Sequence, residues 1–425
     1  MKFIVNQFAK LPRGLLSITL ANMLIAISTT MTFSISPFYL TTVLGISLLG
    51  MGVMEGFTEG LSQMSKLFSG ISSDVSKKKK PTLLFGILLT VLSKPFFILA
   101  SGVGLVMTSK IMERISNGVV ATPRDAYVAD ISTRENRGSS FGIMMTGKTV
   151  GCIIGPFLVS FLMIFTDDLR TLLWLGFIPC LAAMILIWKF LPEKSHTSNE
   201  AARKTIEKAY ERKFHFRDII AMPHTYWTLV IASSLFMVAR FNDGYLSLRL
   251  EELGTPKSIC VATIGIFNAI SAICCFPIGK LSDRINRSTL LYFSYITLFL
   301  SNVCFIFADG MWLGLLGVVF WGAQRGTSQI LFSAIIADEA PRHVMGTAIG
   351  LFYIVGGIIS LVAGSIAGYI SNNNLSDIFY FGAVTSFIAL MYLAYRNSFA
   401  SKLKHPTHEE EVALAPAQQG ASAKA

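Results

Sequence analysis

Charge is scarce in this chain of 425 residues: Asp, Glu, Lys and Arg make up 14% of it, against about a quarter in a soluble domain. With 52% of residues hydrophobic, an ordinary water-solvated surface is excluded. Cysteine is sparse and shows no C-x-x-C spacing; Cys152, Cys180, Cys260, Cys274, Cys275 and Cys304 fall in or beside apolar segments and read as packing residues. The histidines, at 196, 215, 224, 343, 405 and 408, lie in loops or at helix ends, so no His/Cys cluster suggests a metal site. A glycine-rich phosphate loop ending in Lys-Ser/Thr is also missing, which argues against direct ATP-driven pumping. No cofactor is expected.

What is present is a recurrence of apolar runs of about 20 residues, the length that crosses a hydrocarbon core. Twelve spans are read: 15–42, 48–70, 82–102, 104–129, 139–165, 170–191, 225–250, 258–280, 288–308, 311–337, 346–371 and 376–396. They are continuous rather than alternating, which predicts helices and not barrel strands. Lys2, Lys10 and Arg13 precede a first run too long for a signal-peptide core, so that run is expected to remain as the first span.

The net charge of +11 could suggest a nucleic-acid partner, but the basic residues occupy alternate loops, the signature of membrane orientation. Lys77 to Lys80, Arg134 and Arg137, the stretch from Lys189 to Arg217, Arg284 and Arg287, Arg342, and Lys402 with Lys404 all follow even-numbered spans. Both termini and the middle linker are therefore expected on the cytoplasmic side of a bacterial-type inner membrane. Four regions result: a six-helix bundle over 1–191, a linker over 192–222 carrying a surface helix, a second bundle over 223–397, and a disordered tail over 398–425.

The two halves repeat each other in polar loops, where hydropathy alone cannot create a match. Gly70-Ile-Ser-Ser-Asp74, with Lys78 beyond, follows the second span; Gly279-Lys-Leu-Ser-Asp283, with Arg284 and Arg287, follows the eighth. Ala126, Ala129, Asp130, Arg134, Gly138 and Gly142 correspond to Ala334, Ala337, Asp338, Arg342, Gly346 and Gly350 at a constant offset of 208. An even number of spans per half makes these parallel repeats, with a solute path between them.

The doubled Gly-x-x-x-Asp loop resembles the cytoplasmic loop signature of the major facilitator superfamily of secondary transporters. That resemblance implies an all-α integral membrane fold of twelve transmembrane helices in two pseudo-symmetric six-helix bundles. It also implies gating roles for Gly70, Asp74, Lys78, Gly279, Asp283, Arg284 and Arg287. Arg114-Ile-Ser-Asn117-Gly118 looks like the proton-antiporter motif of the fourth helix, which implies a proton-coupling role for Arg114. Gly142, Gly151, Gly155 and Pro156 are similar to the family's fifth-helix antiporter motif, which implies a bend that can seal one side of the cavity. Lys94-Pro95 and the later Glu113-Arg114 … Pro123-Arg124-Asp125 resemble a drug-efflux-like subgroup.

Ionisable residues inside a membrane cost about 2.5–3.5 kcal/mol each on insertion scales, so each asks for a partner or a watery cavity. Lys94, Arg114, Arg124, Lys148, Arg240 and Arg325, with Gln324 and Gln329, are the candidate cavity residues. Glu55, Glu59, Glu113, Asp125 and Asp243 are the candidate proton carriers. Basic residues outnumber acids here, so a net positive cavity and an organic anion, such as a polycarboxylate or siderophore-like compound, are expected. Export of lipophilic drugs in exchange for protons is the alternative; a polytopic membrane enzyme or a solute sensor is a distant one. A monomer is expected, because one chain encloses the pathway.

Overall fold

A backbone in hydrocarbon must satisfy its own polar groups, and the chain does so with helices. The structure, a computed structural model, describes residues 12–72, 79–133, 136–192, 222–282, 284–285, 287–339 and 345–404. The linker helix and most of the tail expected from sequence, with Asp74, Lys78 and Asp283 of the loop signatures, fall outside the described residues.

The first half comprises α1 (Arg13–Phe38), α2 (Leu48–Ser72), α3 (Lys79–Ile98), α4 (Val103–Ile131), α5 (Arg137–Leu162) and α6 (Leu169–Phe190). A π-helical turn, Tyr39–Val43, extends α1 to complete the first span. The second half comprises α7 (His224–Ala239), α8 (Gly244–Glu252), α9 (Lys257–Ser282), α10 (Arg287–Ile306), α11 (Met311–Glu339), α12 (Met345–Ser371) and α13 (Asp377–Lys404). The seventh span, read from sequence as one helix over 225–250, is instead broken between α7 and α8 at Arg240–Asp243, where Asn242 Oδ1 accepts from the Gly244 N–H at 2.7 Å. The last helix also continues through Lys404, past the boundary at 397 read from sequence. By contrast α4 runs unbroken through Pro123.

Pairwise packing shows the two pseudo-symmetric bundles directly. In the first, α1 packs on α5 and α6, α3 on α4 and α6, and α2 on α4; in the second, α7 packs on α12 and α13, α10 on α11 and α13, and α9 on α11. The 208-residue offset reaches single hydrogen bonds. Ser109 Oγ donates to the Ser93 carbonyl at 2.7 Å, and the corresponding pair is bonded in the opposite sense, Ser301 Oγ donating to the Gly317 carbonyl at 2.7 Å. The turns entering the second helix of each half both use a left-handed glycine, Gly45 at φ 62° and Gly254 at φ 76°, a conformation that L side chains rarely adopt.

Eight helices among the described residues are long and apolar enough to cross a membrane: α1, α3, α5, α6, α9, α10, α12 and α13. The remaining elements, α2, α4, α11 and the broken α7–α8 pair, carry Glu55, Glu113, Arg325 and Asp243, and they meet at the centre.

The halves join along two seams that the pseudo-symmetry relates, α2 on α12 and α5 on α9. In the first, Gly52, Gly56 and Gly60 of α2 face Gly357, Gly364 and Gly368 of α12 so closely that a Cβ on Gly56 would lie 2.9 Å from the Ser360 carbonyl oxygen. Close backbone approach of this kind is what small residues at four-residue spacing permit. Both seams lie toward the helix ends remote from the termini: Tyr245 Oη donates to the Leu48 carbonyl at 3.1 Å, and Asn268 Nδ2 to the Cys152 carbonyl at 3.5 Å.

Candidate functional site

Between the halves lies a cavity of about 250 Å³. Its first-half wall comes from α1 (Thr29, Thr32, Ser36), α2 (Glu55, Glu59, Gln63), Phe97 of α3, and α4 (Lys110, Glu113, Arg114). The second half supplies Met237, the whole break Arg240–Asp243, Arg325 of α11, and Ser360, Ala363 and Gly364 of α12. The break therefore has a use: it delivers four consecutive residues to the cavity where a continuous helix would deliver one or two.

The acids are held in separate clusters. Glu55 accepts from Lys110 Nζ at 2.5 Å and, from across the halves, Asn242 Nδ2 at 3.3 Å. Lys110 also reaches Ser36 Oγ at 3.4 Å and lies over the Phe97 ring. Glu113 accepts from Thr29 Oγ1 and from Lys94 Nζ, each at 2.9 Å. Asp243 accepts from the indole N–H of buried Trp321 at 2.7 Å and from Arg325, whose guanidinium stacks on Phe267. Glu59 accepts from Gln63 Nε2 at 3.1 Å.

Two of the cavity's bases are not committed in this way. Among the described residues, neither Arg114 nor Arg240 makes a side-chain hydrogen bond or ion pair, although both line the cavity. Arg114 stands within electrostatic reach of Glu113, and Arg240 of Asp243 and Glu59, but without a direct contact each keeps its N–H donors for water in the cavity or for an anion that enters it.

The other residues singled out from sequence are placed as follows. Lys94, 2% exposed, stands behind the wall and neutralises Glu113 from the far side. Arg124 donates to its neighbour Asp125 at 2.8 Å and to Asn22 Oδ1 at 3.5 Å, and Lys148 is exposed on α5; none of these three lines the cavity. Gln324 is fully buried with both amide atoms unpartnered among the described residues, and Gln329's side chain lies outside them. The lining thus carries four acids and four bases, so the basic excess expected from sequence is not a property of this cavity: Lys94, Arg124 and Lys148 stand outside it, as does Asp125, while Lys110 joins the bases.

Of the glycines resembling the fifth-helix motif, Gly151 and Gly155 face α1, at the Met23 and Ile27 carbonyls, with Pro156 buried between the helices. Gly142 faces open space, and Gly147, against Thr19, completes the seam instead. Gly70 and Gly279 lie near the last turns of α2 and α9, and Arg284 and Arg287 flank the turn into α10. Sequence reasoning missed the Gly52/Gly56/Gly60 ladder, whose four-residue spacing was visible. It also missed Asn242 and the α1 hydroxyls, which stand in apolar runs with nothing to distinguish them.

Comparison with known proteins agrees with this architecture. The sequence matches the Major Facilitator Superfamily over residues 18–365. It is 27% identical over 381 residues to an uncharacterized MFS-type transporter of Methanocaldococcus jannaschii, covering 87% of this chain and 91% of that protein. It is 23% identical to the multi-drug resistance efflux pump PmrA of Streptococcus pneumoniae, over 73% of this chain and 83% of the pump. Among solved structures, the peptide transporter POT in complex with sulfate superposes with a TM-score of 0.73 at 14% identity, covering 92% of this chain and 95% of POT. A multi-pass helical membrane protein whose two related bundles enclose a polar cavity, the chain belongs to the major facilitator superfamily of transporters.

Proposed function

We propose that this transporter moves a small organic anion by proton-coupled alternating access. The observation that carries the reading is the pair of uncommitted guanidiniums, Arg114 from the first half and Arg240 from the second, in a cavity whose carboxylates have partners of their own. An anion bound by both would bridge the two bundles, and such a bridge lets occupancy bias their relative position. The hydroxyls of Thr32 and Ser360, one from each half, donate to their own helices at the Ser28 and Gly356 carbonyls, which leaves their oxygens as neutral acceptors for the rest of the solute.

The volume narrows the class. About 250 Å³ is below the roughly 300–1,000 Å³ of drug-sized pockets, which favours a compact polycarboxylate over a bulky siderophore. Glu55 and Glu113 are the favoured proton carriers, because protonating either releases a cation, Lys110 or Lys94, from its partner. Asp125 and the Arg124 it would release both stand outside the cavity lining, so protonation there does not act on the solute site directly.

With both termini cytoplasmic in a bacterial inner membrane, the seams close the outer side, and the structure is the inward-facing member of the cycle. On this reading residues 1–191 and 223–397 rock as two units about the cavity, joined by 192–222, within a monomer. Export of lipophilic drugs is the second reading, favoured by the likeness to PmrA, a multi-drug resistance efflux pump. Thermal-shift titration of the purified protein separates them. Stabilisation by citrate and other small polycarboxylates, absent in Arg240→Ala, supports the anion; stabilisation by ethidium and not by any polycarboxylate favours the drug.

A further inference from the structure

Arg124 and Lys148 are cations in the membrane-spanning part of the first half that the cavity does not use, and they converge on one level of α1. Arg124 Nη1 donates to Asn22 Oδ1 at 3.5 Å while its Nε is held by Asp125. Because Oδ1 is taken, the Asn22 amide N–H2 points elsewhere. It is buried and has no acceptor among the described residues, although Asn22 is only 7% exposed. One turn earlier, the Thr19 hydroxyl, on a residue 5% exposed, is likewise unpartnered.

Lys148 is brought to the same level by the α1–α5 seam, where Gly147 packs on Thr19 and Gly151 on the Met23 carbonyl. It lies within electrostatic reach of Arg124 and makes no hydrogen bond or ion pair among the described residues. Two like charges in one neighbourhood, beside an orphaned amide donor and with one carboxylate between them, leave a net surplus of donors and positive charge. What such a constellation recognises is an oxyanion. From Asn22 to Thr29 of the cavity wall is about 10 Å along α1, toward the terminal side, so this is a separate place on the same path.

We infer that Asn22, Arg124 and Lys148 form a second anion station between the central cavity and the side of the termini, taking a carboxylate or phosphate group. Its role as a waypoint rests on the anion reading above, but the station itself does not.

The test is protection of Lys148 in the purified full-length protein. Its acetylation by N-hydroxysuccinimidyl acetate is followed by peptide mass spectrometry, with citrate in one arm and inorganic phosphate in the other. Saturating citrate, phosphate or both is expected to slow the reaction about tenfold. Protection should persist in Arg240→Ala, which empties the central site, and disappear in Arg124→Gln and, independently, in Asn22→Ala. The arm that protects identifies the oxyanion chemistry. A Lys148 rate that neither anion changes overturns the station, and so does protection lost in Arg240→Ala, since Lys148 would then report only the central site. The readout needs no transport, so failure of the anion-transport reading and failure of the station are seen separately.

Discussion

Asn242, in the break of the seventh span, donates to Glu55 of α2 across 3.3 Å, joining the two halves at the cavity wall. The same carboxylate holds Lys110, so one acid is shared between a cation of its own half and an amide of the other. Asn242→Ala should leave the Lys110 pair intact and remove this one tie between halves. A hydrogen bond to a charged group contributes about 1.5–3 kcal/mol, so the population open on the side away from the termini should rise about tenfold or more. Distances between spin labels on α2 and α12 check this; an unchanged distribution would show that the two seams hold the closed side without Asn242.

The Lys94–Glu113 pair predicts a non-additive stability result. Glu113→Gln leaves the ammonium of Lys94, 2% exposed, without its carboxylate, and breaking a buried pair costs about 3–5 kcal/mol. Combining it with Lys94→Met should recover much of that loss, because no charge is then stranded. Thermal unfolding of the two singles and the double completes the cycle; equal losses in the single and the double would contradict it.

Arg114 and Arg240 predict the opposite pattern. Neither is committed to a protein partner among the described residues, so Arg114→Ala and Arg240→Ala should leave the melting temperature nearly unchanged. Each should weaken affinity for an anionic solute roughly 10- to 100-fold, the loss of one charge-assisted contact. Loss of fold in either variant would mean that these arginines act as structural pairs.

Asp168 caps the first turn of α6 outside the membrane-spanning segments. Its carboxylate accepts from the Thr171 hydroxyl at 2.6 Å and from the Arg170 and Thr171 backbone N–H groups. The Thr171 hydroxyl foremost, then the Arg170 N–H, hold its pKa below the ordinary 3.8. A lowered carboxylate stabilises the fold above its unfolded value, and that contribution is lost as pH falls through the lowered one. Asp168→Ala should cost about 0.5–1 kcal/mol at neutral pH and nothing once wild-type Asp168 is protonated, as melting at two pH values would show.

Much of the architecture was legible because lipid leaves few solutions: twelve apolar runs of spanning length can only be helices, and matched loops at an offset of 208 can only mean related halves. What hydropathy could not reveal was where a helix stops being one. Phe241 and Tyr245 keep the seventh run apolar through a break that is set locally by Asn242 and Gly244. The ionisable residues of the site were visible as violations of hydropathy, but not their pairing. Lys94 and Lys110 look alike in sequence, yet one is buried behind Glu113 and the other lines the cavity. A helical wheel gives a residue's face on its own helix, not what stands opposite.

If the uncommitted arginines bind a transported anion, as proposed, its movement follows the proton gradient. Flux of radiolabelled citrate in proteoliposomes, with and without an imposed pH difference, tests it most directly. Gradient-driven flux is expected, competed by other small polycarboxylates, at least tenfold weaker at low concentration in Arg240→Ala and uncoupled from pH in Glu55→Gln or Glu113→Gln. Gradient-driven movement of ethidium in the same vesicles, with no polycarboxylate either moved or competing, would contradict it.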